Sequence, residues 1–238
     1  MDKQTDFHSF LDRDSLVIEL AETIAGLLNE GIAQNGQASL ALSGGSTPIA
    51  LFKKLSCIDL PWQAITVSLV DERWVATSDA DSNEHLVQTH LLQNRAATAN
   101  FIGMKNPANT ATEGEEECNR QLQKSPRPFD VLLLGMGQDG HTASLFPGAA
   151  KLPGATDMDS GKLCMSIAPV NAPHERMTLT LPAILDSKRI FLHITGEDKK
   201  KVLEQAFAPG SAEAMPIRFI LQQQPQKKRM QFSIYWAP

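Results

Sequence analysis

The sequence has few cysteines, no long apolar run and no concentration of basic residues, and each shortage excludes a class of protein. The three cysteines are widely spaced and form no Cys-x-x-Cys pair, which argues against a disulfide framework or a zinc site. They indicate free thiols in a reducing compartment. No apolar stretch reaches the length of a membrane-spanning helix, and the polar residues 1–6 lead into no secretory h-region. We therefore expect a soluble, cytoplasmic protein with no membrane partner.

The charge balance argues against nucleic acid as a partner. The formal net charge is −5, and no dense basic stripe is present. The short basic cluster at residues 227–229 is explained by a solvated turn before a last strand. With 238 residues, 42% of them hydrophobic, the chain can bury a sizeable core. We expect one domain that spans residues 1–238.

Strand and helix patterns alternate along almost the whole chain. Residues 14–34 have apolar side chains at helical spacing, which predicts a first amphipathic helix. Short apolar runs predict strands at residues 38–42, 65–70, 101–104, 130–134, 163–168, 189–195 and 232–236. Further helices are predicted at 48–55, 82–92, 110–124, 197–207 and 217–221, and a surface loop at 147–161. This order predicts an α/β fold with a mostly parallel sheet and helices on both faces.

Residues 130–147 are the most informative segment. The apolar run 130–134 ends in a loop with three glycines, Gly135, Gly137 and Gly140, and this loop also carries Asp139 and His141. The order places a carboxylate and an imidazole at the carboxyl end of a central strand, where open α/β sheets bind ligands. Histidine is the side chain best suited to move protons near pH 7.

The same glycines match the Gly-x-Gly-x-x-Gly pattern of dinucleotide-binding proteins, but the context disfavours a nicotinamide cofactor. Pro147 and Gly148 soon interrupt any helix after the loop, and the strand at 163–168 ends without the acidic residue that binds ribose. A zinc metalloprotease site is also excluded on spacing, because His174, Glu175 and Arg176 do not form a His-Glu-x-x-His motif.

Other candidate site residues follow or flank predicted strands. Residues 43–48 combine glycine amides, hydroxyl groups and the start of a helix, which suits an anion, although a tight turn is the plainer interpretation. The cationic candidates are Arg73, Arg176 and Lys199, for which a surface ion pair or a solvated side chain is the alternative. The full set of candidate binding residues is Ser43, Gly44, Gly45, Ser46, Thr47, Asp71, Arg73, Arg176 and Lys199.

Together these residues predict a small phosphorylated substrate bound at one edge of the sheet, with His141 as the general base. The sequence has no Gly-x-Ser-x-Gly motif and no cysteine close to a histidine in sequence. A water molecule activated by His141 is therefore the expected nucleophile.

The motifs resemble those of the 6-phosphogluconolactonases, in the glucosamine-6-phosphate isomerase/6-phosphogluconolactonase family. The resemblance spans the chain from about residue 10 onward and rests on residues 42–48, 71–75 with 82–83, 135–147 and 173–178. It implies a Rossmann-like sheet, no metal or organic cofactor, and hydrolysis of 6-phospho-D-glucono-1,5-lactone in the oxidative pentose phosphate pathway. By analogy, Gly44, Gly45, Ser46 or Thr47, Arg176 and Lys199 would hold the phosphate. Arg73 would face the substrate, either at its phosphate or at its lactone ring.

Two roles near the base stay hypotheses at this stage. Asp139 would orient the His141 ring or favour its charged form, and backbone donors of the loop from Gly135 through Gly137 to Gly140 would stabilise an oxyanion. The partner is expected to be a sugar-phosphate lactone, and the protein a monomer or a small homo-oligomer.

The closest rival is a glucosamine-6-phosphate deaminase. Deaminases resemble this chain at the glycine loops, but their pattern continues after the histidine as Ile-Ala-Phe-Asn-Glu-Pro. Here residues 142–147 read Thr-Ala-Ser-Leu-Phe-Pro and lack that acid, and Arg73 replaces a tyrosine. A non-catalytic sugar-phosphate sensor is the other alternative, although no DNA-binding segment or basic patch accompanies the fold.

Overall fold

The computed structural model describes residues 6–222 and 230–238. The basic cluster at 227–229 lies outside this part of the chain. The strands are β1 (Asp6–Ser9), β2 (Ala38–Leu42), β3 (Ile65–Leu69), β4 (Asp71–Arg73), β5 (Asn100–Ile102), β6 (Phe129–Leu134), β7 (Cys164–Ile167), β8 (Arg176–Leu179), β9 (Ser187–Thr195) and β10 (Gln231–Ala237). The helices are α1 (Arg13–Asn35), α2 (Ile49–Ser56), α3 (Asn83–His90), α4 (Glu115–Leu122), α5 (Leu152–Thr156), α6 (Leu181–Leu185), α7 (Glu197–Phe207) and α8 (Ile217–Leu221), with 3₁₀ turns at Trp62–Ala64 and Asn94–Thr98.

The main sheet has seven strands in the order β1-β10-β9-β6-β2-β3-β5, and every neighbouring pair is parallel. The central strands β2 and β6 are buried along their whole length, which explains their unbroken apolar sequences. The predicted α/β class is confirmed.

Helices cover both faces of this sheet. Helices α1, α2 and α3 pack against one another in succession, and α6, α7 and α8 form a second group. Right-handed connections between parallel strands place the two groups on opposite faces. Helix α1 begins where the Asp12 carboxylate accepts a 2.7 Å hydrogen bond from the Ser15 amide, and it ends at Gly36 in the left-handed conformation. The buried apolar residues of the two layers form one continuous cluster.

A second, antiparallel sheet in the order β4-β8-β7 corrects part of the sequence analysis. Residues 163–168 contain the predicted strand, but it belongs to this small sheet. Asp71–Arg73 and Arg176–Leu179, which lie outside the predicted strands, form strands that pair with each other. They are too short and too polar to give a period-2 pattern, so pairing between distant segments decides their conformation.

Two further local predictions were wrong, and one strand was not predicted. The segment 147–161 was expected to be a loop, yet it contains helix α5, which is anchored by the buried side chains of Leu152 and Ala155. The helix predicted over 110–124 is limited to Glu115–Leu122. Strand β1 was not predicted and pairs with β10 at the edge of the main sheet.

Candidate active site

A cavity of about 390 Å³ opens at the carboxyl ends of β2, β6 and β9 and is bordered by β4 and β8. The predicted site residues on its wall are Ser43, Gly44, Gly45, Ser46, Thr47, Asp71, Arg73, Gly135, Gly137, His141, Arg176 and Lys199. Asp139 and Gly140 are not on the wall. The structure therefore brings together nearly all of the residues selected from separate parts of the sequence.

His141 is held by Asp139. The Asp139 Oδ1 atom lies 2.6 Å from Nδ1 of the imidazole and accepts a 3.1 Å hydrogen bond from the His141 amide. Burial tends to raise the pKa of Asp139, but the hydrogen bond and charge of His141 outweigh it and hold this pKa below the usual value. A Cβ atom on Gly137 would lie 2.1 Å from Nδ1, so only glycine fits beneath the ring. The arrangement engages Nδ1 and leaves Nε2 as the ring nitrogen for a proton acceptor.

Phe146 lies close to both His141 and Arg176. Its ring centroid lies 4.2 Å from that of His141 at an interplanar angle of 34°. The Arg176 guanidinium carbon lies 5.8 Å from the same phenyl centroid. The phenyl ring thus packs against the His141 imidazole and lies within cation–π distance of the Arg176 guanidinium.

The turn between β2 and α2 offers unpaired backbone donors. Within residues 6–222 and 230–238, the amides of Gly44, Gly45, Ser46 and Thr47 donate hydrogen bonds to no protein atom. Asn83 Oδ1 approaches Gly44 so closely that a Cβ there would lie 1.8 Å away. Free amides in front of a helix start are the arrangement that binds phosphate in many α/β proteins.

Arg73 and Arg176 are direct neighbours across the β4–β8 ladder. Arg73 Nη1 donates to the Asp81 carbonyl at 2.5 Å, and Arg176 Nη2 donates to the Pro173 carbonyl at 3.1 Å. The Nε atoms of both arginines are buried and have no partner in the described part of the chain. Burial and the adjacent Arg73 charge lower the pKa of Arg176. Two unsatisfied guanidinium groups side by side suit an anionic ligand.

Asp71 is fixed on the cavity wall by neutral donors. The Ser144 hydroxyl donates to Asp71 Oδ2 at 2.5 Å, and Asn83 Nδ2 donates to the Asp71 carbonyl at 2.9 Å and to Oδ1 at 3.2 Å. Asn83 therefore joins Asp71 to the turn between β2 and α2 at Gly44. Asn83 belongs to the sequence motif at 82–83 but is not among the predicted site residues.

Glu72 orders the start of α3 from inside the protein. This fully buried carboxylate accepts hydrogen bonds of 2.7–3.0 Å from the Ser82 hydroxyl and from the amides of Arg73, Asn83 and Glu84. Burial nevertheless raises the pKa of Glu72, with the four donors opposing it. The negative charge sits at the positive end of the helix dipole and fixes the position of Asn83.

Lys199 closes the cavity on the side of β9. Its Nζ donates to the Met136 carbonyl at 2.7 Å, which ties the first turn of α7 to the glycine loop after β6. Burial lowers the pKa of Lys199, and the charge of Asp139 partly offsets this effect. The side chain is half-buried on the cavity wall, unlike the fully solvated lysine considered as the alternative.

The glycine loop uses some of its amides internally. The Gly137 amide donates to the His141 carbonyl at 2.8 Å and the Gly140 amide to the Gly137 carbonyl at 3.2 Å. The amides of Gly135 and Met136 donate to no atom of the described residues. The oxyanion role of this loop stays a prediction, and these two amides are free donors on residues of the cavity wall.

His193 is a cavity residue that the sequence analysis missed. It lies in the apolar strand β9, so its surroundings in sequence indicate only core. Burial lowers its pKa to about 4.

The described residues contain no group of three or more His, Cys, Asp or Glu side chains placed to hold a metal ion. No helix in this part of the chain is both long and apolar enough to span a bilayer. All three cysteines are free thiols.

Fold and cavity together define an α/β protein whose cavity, at the carboxyl edge of a parallel sheet, is lined by free backbone amides, two arginines, a lysine and a histidine. The family model of glucosamine-6-phosphate isomerases/6-phosphogluconolactonase matches residues 11–231, and the chain belongs to this family.

Two curated relatives are similar over nearly their whole length. The 6-phosphogluconolactonase of Pseudomonas aeruginosa is 42% identical over 219 residues, 92% of this chain and 89% of that protein. The 6-phosphogluconolactonase of Mesorhizobium japonicum is 40% identical over 232 residues, 98% of this chain and 95% of that one. A crystal structure of a 6-phosphogluconolactonase from Shewanella baltica OS155 is 44% identical, covers 100% of both chains and has a TM-score of 0.95.

Proposed function

We propose that this protein hydrolyses 6-phospho-D-glucono-1,5-lactone to 6-phospho-D-gluconate, the lactonase step of the oxidative pentose phosphate pathway. The observation that carries the proposal is the His141–Asp139 pair in a cavity that also holds free amides and two unsatisfied arginines. The proposal is also supported by relatives at 40–42% identity that are named 6-phosphogluconolactonase.

His141 acts as the general base. Its Nε2 accepts a proton from a water molecule, and the water oxygen attacks the lactone carbonyl carbon C1. Asp139 accepts the hydrogen bond from Nδ1–H, so the ring is held in the tautomer with a free lone pair on Nε2. The carboxylate also stabilises the imidazolium that forms.

The tetrahedral intermediate carries its negative charge on the former carbonyl oxygen. The free amides of Gly135 and Met136 are the donors offered to this oxyanion. When the intermediate collapses, the C1–O5 bond breaks, the ring opens, and the imidazolium returns its proton to O5. The reaction adds one water molecule and consumes no cofactor or metal.

The 6-phosphate is held by the anion-binding turn 44–47 together with Arg176 and Lys199. Arg73 lies beside Arg176 and contributes positive charge to the same wall. Binding energy at the phosphate positions the carbonyl near His141, so it contributes to the rate of the chemical step. Asp71, which is held by Ser144 and Asn83, is placed to accept hydrogen bonds from sugar hydroxyls.

The family also contains isomerases, so membership alone does not choose the reaction. Residues 142–147 lack the acidic residue of the deaminase pattern, and Arg73 stands where that pattern has tyrosine. We also propose that the protein works in the cytoplasm, as its free thiols suggest, as a monomer or small homo-oligomer without nucleic acid or membrane partners.

The test compares two reactions of the wild-type protein. Lactone generated in situ from glucose 6-phosphate by its dehydrogenase should be converted to 6-phosphogluconate well above the spontaneous rate, measured by a second coupled dehydrogenase. Ammonia release from glucosamine 6-phosphate should stay at background. Deaminase activity without lactonase activity would contradict the proposal.

A further inference from the structure

His193 is a buried, titratable side chain on the cavity wall that the proposed reaction does not use. It is 3% exposed and lies in β9, two residues before the strand ends. Its Nδ1 atom is enclosed and has no hydrogen-bond partner among the described residues. Nε2 also has no hydrogen-bond partner among these residues but is not enclosed, so it is the ring nitrogen that a ligand in the cavity can reach. A hydrogen bond from a ligand to Nε2 would offset part of the cost of burying the ring.

The face of β9 on which His193 lies is the face next to the anion-binding turn. Alternate residues of a strand share a face, and the register partner of His193 in β10 is Tyr235, whose hydroxyl lies beside Thr23 of α1. Helix α2 packs on α1 in the same layer and begins directly after residues 43–48. His193 is therefore on the side of the sheet where the free amides of the turn are found.

The burial of His193 decides what it can offer to a ligand. With its pKa lowered to about 4, the ring is neutral near pH 7 and has one N–H donor and one lone pair. The tautomer with its proton on Nε2 leaves only the lone pair of Nδ1 unpaired in the core. It presents a donor that carries no charge and does not compete with His141 for a proton.

We propose that His193 is a substrate-binding residue whose neutral Nε2–H donates a hydrogen bond to an oxygen of the 6-phosphate. This inference rests on the proposed function and adds a residue to its binding site. Because His193 stays neutral, it adds a directed donor beside the charged groups Arg176 and Lys199 without increasing their mutual repulsion.

The test measures the binding of 6-phosphogluconate by calorimetry to wild type and three variants. His193→Leu removes the donor, and we expect the Kd to rise by about 10- to 100-fold, the range for a hydrogen bond to a charged group. His193→Gln keeps a donor near the position of Nε2 and should stay within about threefold of wild type. Phe191→Leu is the matched control, because Phe191 is buried on the same face of β9 but is not on the cavity wall.

A packing role predicts other results. Equal weakening by His193→Leu and Phe191→Leu, or by His193→Leu and His193→Gln, would overturn the inference. In the lactonase assay, kcat/KM for the lactone should fall more in His193→Leu than in Phe191→Leu or His193→Gln. In wild type, the NMR signal of the His193 ring should shift on saturation with 6-phosphogluconate, and an unchanged signal would refute the contact even if the variants fold poorly. Failure of the proposed function is distinguishable, because wild type would then lack lactonase activity.

Discussion

Replacing Asp139 with asparagine isolates the effect of one negative charge on the proposed base. The amide oxygen can still accept a hydrogen bond from Nδ1 of His141, so size and geometry are largely kept. A hydrogen bond to a charged group contributes about 1.5–3 kcal/mol when well shielded. The side chains here are 49% and 30% exposed, so solvent screening reduces this to about 1–2 kcal/mol.

The loss applies to the transition state, where the imidazolium forms, and therefore appears in kcat. We expect Asp139→Asn to lower kcat about 5- to 30-fold, since about 1.4 kcal/mol corresponds to tenfold in rate. KM should change little, because Asp139 is not on the cavity wall.

The assay is the coupled measurement of 6-phosphogluconate formation, corrected for spontaneous hydrolysis. Asp159→Asn, an exposed aspartate outside the cavity, controls for the change in net charge. An unchanged kcat in Asp139→Asn would refute the role assigned to the carboxylate. If Asp139→Asn lowers kcat as much as His141→Ala does, the Asp139–His141 interaction is stronger than the screened value of about 1–2 kcal/mol.

Three further predictions concern binding and stability. Arg176→Ala should lower kcat/KM for the phosphorylated lactone more than for plain gluconolactone, because its guanidinium is assigned to the phosphate. Gly44→Ala should weaken binding of 6-phosphogluconate, because the added Cβ would lie 1.8 Å from Asn83 Oδ1 and displace the anion-binding turn. Burial tends to raise the pKa of Glu115, but hydrogen bonds from Lys151, Ser166 and Lys162 lower it to about 2. The resulting stability is complete above pH about 4.5 and is lost as the pH falls toward 2, so Glu115→Gln should flatten the fall in melting temperature over this range.

Each of these has a control or a contrary outcome. Equal losses of kcat/KM on both lactones would indicate that Arg176 has a structural role or acts at the lactone carbonyl, not at the phosphate. Gly26→Ala is the matched glycine control, because nothing lies within 4 Å of its added Cβ inside helix α1, and it should stabilise the protein by about 0.5–1 kcal/mol. If the melting temperatures of wild type and Glu115→Gln fall equally between pH 5 and 2, the stabilising role of the Glu115 ion pairs is wrong.

The parallel sheet and the loops at its carboxyl edge could be predicted because both are indicated by patterns in the local sequence. The runs that form β2 and β6 are continuous and apolar, and each ends at glycines. Parallel strands bring their carboxyl ends to one edge, so the turn at 44–47 and His141 had to be close. Local sequence was enough to place these residues in one site.

The small sheet could not be predicted, because it depends on contacts between distant segments. Arg73 and Arg176 become neighbours only through the β4–β8 pairing, which neither strand encodes locally. Asn83 and Glu72 acquire their roles from hydrogen bonds across that same region. His193 was missed for the opposite reason, because an apolar strand surrounds it and indicates core rather than a cavity wall.

The measurement that tests the central claim most directly is the kcat of lactone hydrolysis for His141→Ala and His141→Asn against wild type, with folding checked by melting temperature. A positioned general base contributes about 10²- to 10⁴-fold. The account predicts a loss of about this size in both variants, with binding of 6-phosphogluconate largely kept. A folded His141→Ala protein that hydrolyses the lactone at the wild-type kcat would contradict it.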